Sequence, residues 1–232
     1  MRGILFDLDG TLLDIDLRTF LGRYFGALSK TLAAILPDGD PSGAGIRAVT
    51  AASDAMILPH AGRTNREVFN AEFERLTAID LDAHQATLDR FYAEEFPSLG
   101  DGYGPAPGSR HVVETALELG LEVAVATNPI FPRAAIDHRL AWAGLGDIEF
   151  RVVTSYEWMC ATKPHAAYFR QTAEAIGIEP TACLMVGDDR ALDLPAADVG
   201  MRTYYVGSAT DSSANYRGCL DDLAALLPRL TA

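Results

Sequence analysis

Little in this chain of 232 residues is basic: 19 Lys and Arg stand against 32 Asp and Glu, a formal net charge of −13. Nucleic-acid backbones and anionic membranes reward clustered cations, so neither is expected as a main partner. Cysteine is scarce too. Cys160, Cys183 and Cys219 are too few and too irregularly spaced for a disulfide framework or a CxxC metal site, which makes a reducing cytoplasm the expected compartment. No run approaches the ~20 apolar residues a membrane span needs. Met1-Arg2-Gly3-Ile4-Leu5-Phe6-Asp7 reaches an acidic residue before any signal-peptide core could form. Low-complexity tracts and internal repeats are absent.

What remains is ordinary globular composition, 49% hydrophobic and 22% charged, in a chain long enough for one substantial core and a smaller companion unit. An acidic protein can still take a small anionic substrate. It must then supply local positive charge from a metal, a lysine or backbone N–H groups.

Ile4 to Leu8 reads as a short apolar strand interrupted by Asp7 and closed by the turn residues Asp9-Gly10-Thr11. From Asp16 to about Glu95 the spacing becomes helical: Phe20, Leu21, Tyr24, Phe25, Leu28 and Leu32 make one apolar face. Three more helices are expected at 44–58, 65–76 and 82–94, and the Gly- and Pro-rich stretch 96–109 reads as an exit linker. Thereafter amphipathic helices alternate with apolar runs at 121–127, 149–154, 182–187 and 203–206, and 220–230 reads as a closing helix. That alternation predicts an α/β fold: a Rossmann-like parallel sheet core with helices on both faces, plus an inserted all-helical domain. The expected division is 1–14 and 104–232 for the core and 15–103 for the insertion.

In such sheets ligands bind beyond the carboxyl ends of the strands, where strand order reverses. Three predicted strands end there in polar groups: Asp7 and Asp9, Thr127 and Asn128, Asp188 and Asp189. Asp7 could attack phosphorus as a carboxylate nucleophile while Asp9 donates and later accepts a proton. Gly10 would let the chain turn past the reacting centre; a plain strand-ending turn is the alternative. Asp188 is a candidate ligand for a hard divalent cation, with Asp193 acting through water or as an orienting group, unless Asp188 or Asp189 merely caps the next helix. Thr127 and Asn128 offer a hydroxyl and an amide to a phosphoryl oxygen, or else only a helix-entry turn. Lys163 could neutralise the nucleophile and the transferred group, or be a solvated surface lysine.

Taken in order, Asp7-Leu8-Asp9-Gly10-Thr11-Leu12, Thr127-Asn128, Lys163-Pro164 and Gly187-Asp188-Asp189-Arg190-Ala191-Leu192-Asp193 resemble the four motifs of the haloacid-dehalogenase-like superfamily, and Ala196 to Met201 is similar to its downstream run. The resemblance implies a phosphorylated aspartate intermediate and Mg²⁺ held by the Asp7 carboxylate, the Asp9 backbone carbonyl and Asp188. It implies Gly10, Thr127, Asn128 and Lys163 around the phosphate of a small phosphorylated metabolite, and Asp193 as an outlying or water-mediated metal group; Asp189, where the fourth motif often has a small polar residue, departs from the pattern and is read as a further outlying metal group, a helix cap or an exposed side chain. The inserted helices look like that family's cap. Asp9 points to the phosphatase branch, because the carbon-attacking dehalogenases lack an acid two residues after the nucleophile. In the loop 59–66, His60 and Arg63 are expected to help choose the substrate if the loop overhangs the site. His138 and His165 are read as helix-surface residues. A phosphomutase of the same family and a non-catalytic metal- or phosphate-binding regulator are the alternatives.

Overall fold

The computed structural model describes residues 1–60, 62–207 and 213–231. Ala61, in the 59–66 loop, lies outside them. The central strand β1 (Gly3–Phe6) is buried along its whole length, as its unbroken apolar run requires. β2 (Leu13–Asp14) leads to four helices, α1 (Leu17–Ile35), α2 (Ala44–Ile57), α3 (Asn65–Thr77) and α4 (Gln85–Arg90). β3 (Gly104–Pro105) then returns the chain, pairing antiparallel with β2. The remainder runs α5 (Ser109–Glu118), β4 (Glu122–Val125), α6 (Arg133–Trp142), β5 (Val152–Val153), α7 (Ala166–Ala175), β6 (Cys183–Gly187), β7 (Arg202–Val206), β8 (Tyr216–Gly218) and α8 (Leu220–Thr231).

Six strands form one sheet in the order β5-β4-β1-β6-β7-β8, every pairing parallel. The period-two alternation of strand side chains sorts them onto two faces. Ile4, Phe6, Val123, Val125, Leu184 and Val186 enter one core, which α5 and α8 cover with Val112, Ala116, Leu223 and Leu227. Leu5, Ala124, Cys183 and Met185 enter the other, covered by Tyr168, Phe169 and Ala173 of α7. β1 lies where strand order reverses, and its register sets Phe6 beside Val125 on one side and Val186 on the other. The residues following all three strands therefore meet beyond one sheet edge.

The helical segment is held locally by its caps. Asp16 accepts the Thr19 N–H at 2.6 Å to start α1, and the Thr19 side chain together with this bond holds its carboxyl below the ordinary range. Thr64 and Glu67 form a reciprocal capping box on α3. Phe20, Tyr24, Leu28 and Leu32 bury the predicted face of α1. The segment expected as a helix at 82–94 differs: a 3₁₀ turn (Asp82–His84) precedes α4, and a π turn (Phe91–Glu95) follows it. Phe91 and Phe96, five residues apart, both point into the core, an i, i+5 spacing that a π turn satisfies and a uniform α-helix does not.

The stretch 96–109, expected as the exit linker, begins with a packed aromatic residue. Phe96 is fully buried and stacks on Trp142 of α6, with ring centroids 5.5 Å apart and planes 10° apart. Phe20 and Phe131 extend the same aromatic seam. The predicted strand at 149–154 shortens to Val152–Val153, and β2, β3 and β8 are too short to leave a sequence signal. All three cysteines are free thiols. No helix among the described residues is long and apolar enough to cross a membrane.

Truncating Phe96 to Ala leaves a cavity in this seam. We expect a loss of about 3–5 kcal/mol in unfolding free energy, measured by urea denaturation. A change below roughly 1 kcal/mol would show that the site collapses or was never tightly packed.

Candidate active site

Three strand ends and one loop converge on a cluster of ions. Asp7 follows β1 directly, its N–H donating to Val186 O at 2.8 Å. Lys163, 1% exposed, donates from Nζ to Asp7 Oδ1 at 2.7 Å and to Asp193 Oδ1 at 2.6 Å. Burial alone would lower the lysine's pKa. Asp193 and Asp7 more than offset that, so the ammonium is held above its ordinary range.

Asp188, after β6, completes the group: carboxylate oxygens of Asp7, Asp188 and Asp193 lie within 4.8 Å of one another. Burial and the Asp7 charge push the Asp188 carboxyl up to about 6. Burial also raises Asp193, against the pull of Lys163. Thr11, fully buried, donates from its hydroxyl to Asp188 Oδ1 at 3.0 Å.

Two glycines make this approach possible. Gly10 has φ +88°, and a Cβ there would strike the Asp188 carboxylate. At Gly187 a Cβ would strike the Asp193 carboxylate.

The predicted residues divide by what they touch. Thr127 is buried at the end of the β4 run, its carbonyl accepting from Thr154 Oγ1 at 2.7 Å and Tyr168 OH at 2.9 Å. Asn128 Oδ1 accepts the Lys163 backbone N–H at 3.1 Å, so this amide holds the lysine loop. Both Asp193 oxygens are engaged, the second by the Asp189 N–H at 3.1 Å, which makes Asp193 an anchor for Lys163. Asp189 itself is exposed and caps the next turn through Ala191 N and Leu192 N, away from the three-carboxylate group.

His60 and Arg63 are not brought to the ion cluster. The His60 ring nitrogens lie 2.8 Å from Leu58 O and Asn65 Oδ1, and Arg63 donates to Glu67 O on the exposed side. It is Asn65 that reaches inward. Fully buried, it donates from Nδ2 to Pro129 O at 2.9 Å and Ala161 O at 3.3 Å, tying α3 to the loops that carry Asn128 and Lys163. His138 rests against Phe96, with ring centroids 5.9 Å apart, and His165 Nε2 lies 2.8 Å from Ile57 O.

Arg139 is a site residue that the sequence motifs do not include. It is 1% exposed on α6 and pairs through Nη1 with Asp9 Oδ2. Its sequence signal is a cation inside the buried stripe Ala135, Ile136, Leu140. Burial raises the Asp9 carboxyl above its ordinary range, with Arg139 pulling the other way. Beside Arg139, Phe131 also lines a cavity of about 270 Å³ between α1, α2, α3 and α4, whose polar features include a Tyr24–Tyr92 hydroxyl pair at 3.0 Å.

The donor set fits a hard cation. Three carboxylates lie within 4.8 Å of one another, and Lys163 bonds to two of them, Asp7 and Asp193, through one oxygen each, so one Asp7 oxygen and the Asp188 carboxylate are left without that cation. Chemically the cluster can hold a divalent ion, a nucleophilic carboxylate and a cation beside it.

Comparison with known proteins agrees with this arrangement. The family model described as haloacid dehalogenase-like hydrolase matches residues 1–199. A phosphoglycolate phosphatase of Rhodospirillum rubrum is 32% identical over 191 residues, covering 81% of this chain and 71% of that protein. A phosphatase of Mycobacterium tuberculosis is 31% identical over 157 residues, 67% of this chain and 68% of that one. The crystal structure of a HAD phosphatase from Thermococcus onnurineus superposes with a TM-score of 0.62 at 23% identity, covering 98% of both chains. With the parallel sheet, the converging motif residues and a family match over most of its length, the chain belongs to the haloacid dehalogenase-like hydrolases, on their phosphatase branch.

Proposed function

We propose that the chain is a Mg²⁺-dependent hydrolase of phosphomonoesters that works through a phosphorylated Asp7, with residues 1–14 and 104–232 as the catalytic core and 15–103 as the cap. The observation that carries this reading is Lys163 Nζ bonded to Asp7 beside Asp188, with Asp9 two residues on. Lys163 takes one Asp7 oxygen and orients the other for attack on phosphorus. As the Asp7–phosphorus bond forms, the bond to the leaving oxygen breaks. That oxygen keeps the electron pair and takes the proton from Asp9. In the second half Asp9 accepts a proton from water, whose oxygen displaces Asp7 from phosphorus.

Asp7, the Asp9 backbone carbonyl and Asp188 would hold Mg²⁺, which supplies charge neutralisation for the phosphoryl oxygens. Thr127 would donate its hydroxyl to the same oxygens, beside the Gly10 turn. Asn128 acts through Lys163, and Asp193 does likewise. A small phosphorylated metabolite in a reducing cytoplasm is the proposed setting. Phosphoglycolate is the first substrate to try, because relatives carry that name.

Asp7→Asn is expected to abolish turnover of an aryl phosphate, and Asp9→Asn to lower it by roughly 10²–10⁴-fold while a phosphorylated protein can still be trapped. Full activity in Asp7→Asn sinks the mechanism. Chelation is expected to remove activity and added Mg²⁺ to restore it in a steady-state assay; unchanged rates in chelator would rule out the metal.

A further inference from the structure

Asp9 presents one oxygen to the protein and keeps one back. Its Oδ2 is paired with Arg139 Nη1, whereas Oδ1 is buried with no hydrogen-bond partner. Arg139 mirrors this: Nη2 is buried and unpartnered beside the engaged Nη1. Two forks meet by one tooth each, leaving an acceptor on the acid and a donor on the base. Buried polar atoms rarely stay unsatisfied, and where they do a ligand group is one explanation. A hydroxyl answers both needs from a single oxygen, one O–H and one lone pair. The leaving alcohol and the attacking water each carry such an oxygen.

The guanidinium is itself held fast. Nε leans toward Ala135 O at 3.4 Å, and its carbon lies 4.6 Å from the centre of the Phe131 ring, a cation–π contact. Phe131 is in turn packed by Phe20 and Tyr24 of α1, with centroids at 6.2 and 5.3 Å. A planar, permanently charged fork clamped on its face and along its edge can fix a carboxylate's rotation as a flexible lysine cannot.

We infer that Arg139 is the positioning residue for Asp9: by holding Oδ2 it turns Oδ1 toward the leaving-group oxygen, and its free Nη2 steadies that same oxygen. This rests on the hydrolase reading above and adds a residue to it. Arg139 makes no bond to phosphorus. Its contribution is felt where the leaving oxygen needs a proton.

Leaving-group dependence tests this. An alkyl phosphate needs protonation as its P–O bond breaks, whereas 2,4-dinitrophenyl phosphate departs without it. For Arg139→Met we expect the rate constant of leaving-group release in a single turnover to fall by about 10²-fold on the alkyl phosphate and by less than about tenfold on the dinitrophenyl ester, the pattern also expected of Asp9→Asn; hydrolysis of phosphorylated Asp7, which needs Asp9 as base whichever ester is used, lies outside that measurement. The ratio is internal to each preparation, so a partly unfolded sample lowers both rates equally. Arg139→Lys keeps the buried charge, reads the same ratio should the Met variant not fold, and is expected to lie between it and the wild type. Selective loss in Asp9→Asn beside equal losses on both esters in the Arg139 variants overturns the positioning role and leaves the hydrolase reading standing. Equal losses in Asp9→Asn as well overturn both.

Discussion

The site depends on one buried cation. Lys163 sits between Asp7 and Asp193, shielded from water, at hydrogen-bond distance from each. Two opposite charges about 4 Å apart interact by roughly 4 kcal/mol at an effective dielectric near 20, so two carboxylates can outweigh the desolvation of one ammonium. Without Lys163, Asp7, Asp188 and Asp193 would face one another as uncompensated anions. Several of the surrounding contacts serve that placement. Asn128 holds the lysine's backbone, Asp193 holds its other side, and Gly187 leaves room for Asp193.

A second, apolar constraint joins the helical segment to the sheet. Phe96 and Trp142 stack across it, and Phe20, Tyr24 and Phe131 continue the seam toward Arg139. The aromatic packing is thus continuous with the clamp on Asp9. Asn65 supplies the polar counterpart, meeting the carbonyls of Pro129 and Ala161 from α3. One of the loops it touches carries Lys163 and the other carries Asn128, which holds that lysine's backbone, so the helices' seating and the cluster's geometry are mechanically linked.

Much of this was legible in residue order. The apolar face of α1 and the bounds of α2 and α3 follow from helical spacing and caps, and five of the six sheet strands from apolar runs bounded by turn residues. Other elements were not. β2, β3 and β8 span two or three residues and carry no periodicity, while the π turn at Phe91–Glu95 serves a tertiary demand, the common burial of Phe91 and Phe96. Asp189 illustrates a further limit. A carboxylate beside Asp188 reads as a metal group or a cap with equal ease, and only the turn geometry directs it to Ala191 and Leu192.

By itself the sequence determined the alternation of strands and helices, the acidic strand ends and the order of motifs, because these are encoded over a few neighbouring residues. Tertiary structure decided which groups face one another. Lys163 meets Asp7 across 156 positions, and Arg139 meets Asp9 across 130. No local pattern specifies such pairs; they exist because parallel strands either side of β1 carry their ends to one edge, where buried charges must find partners.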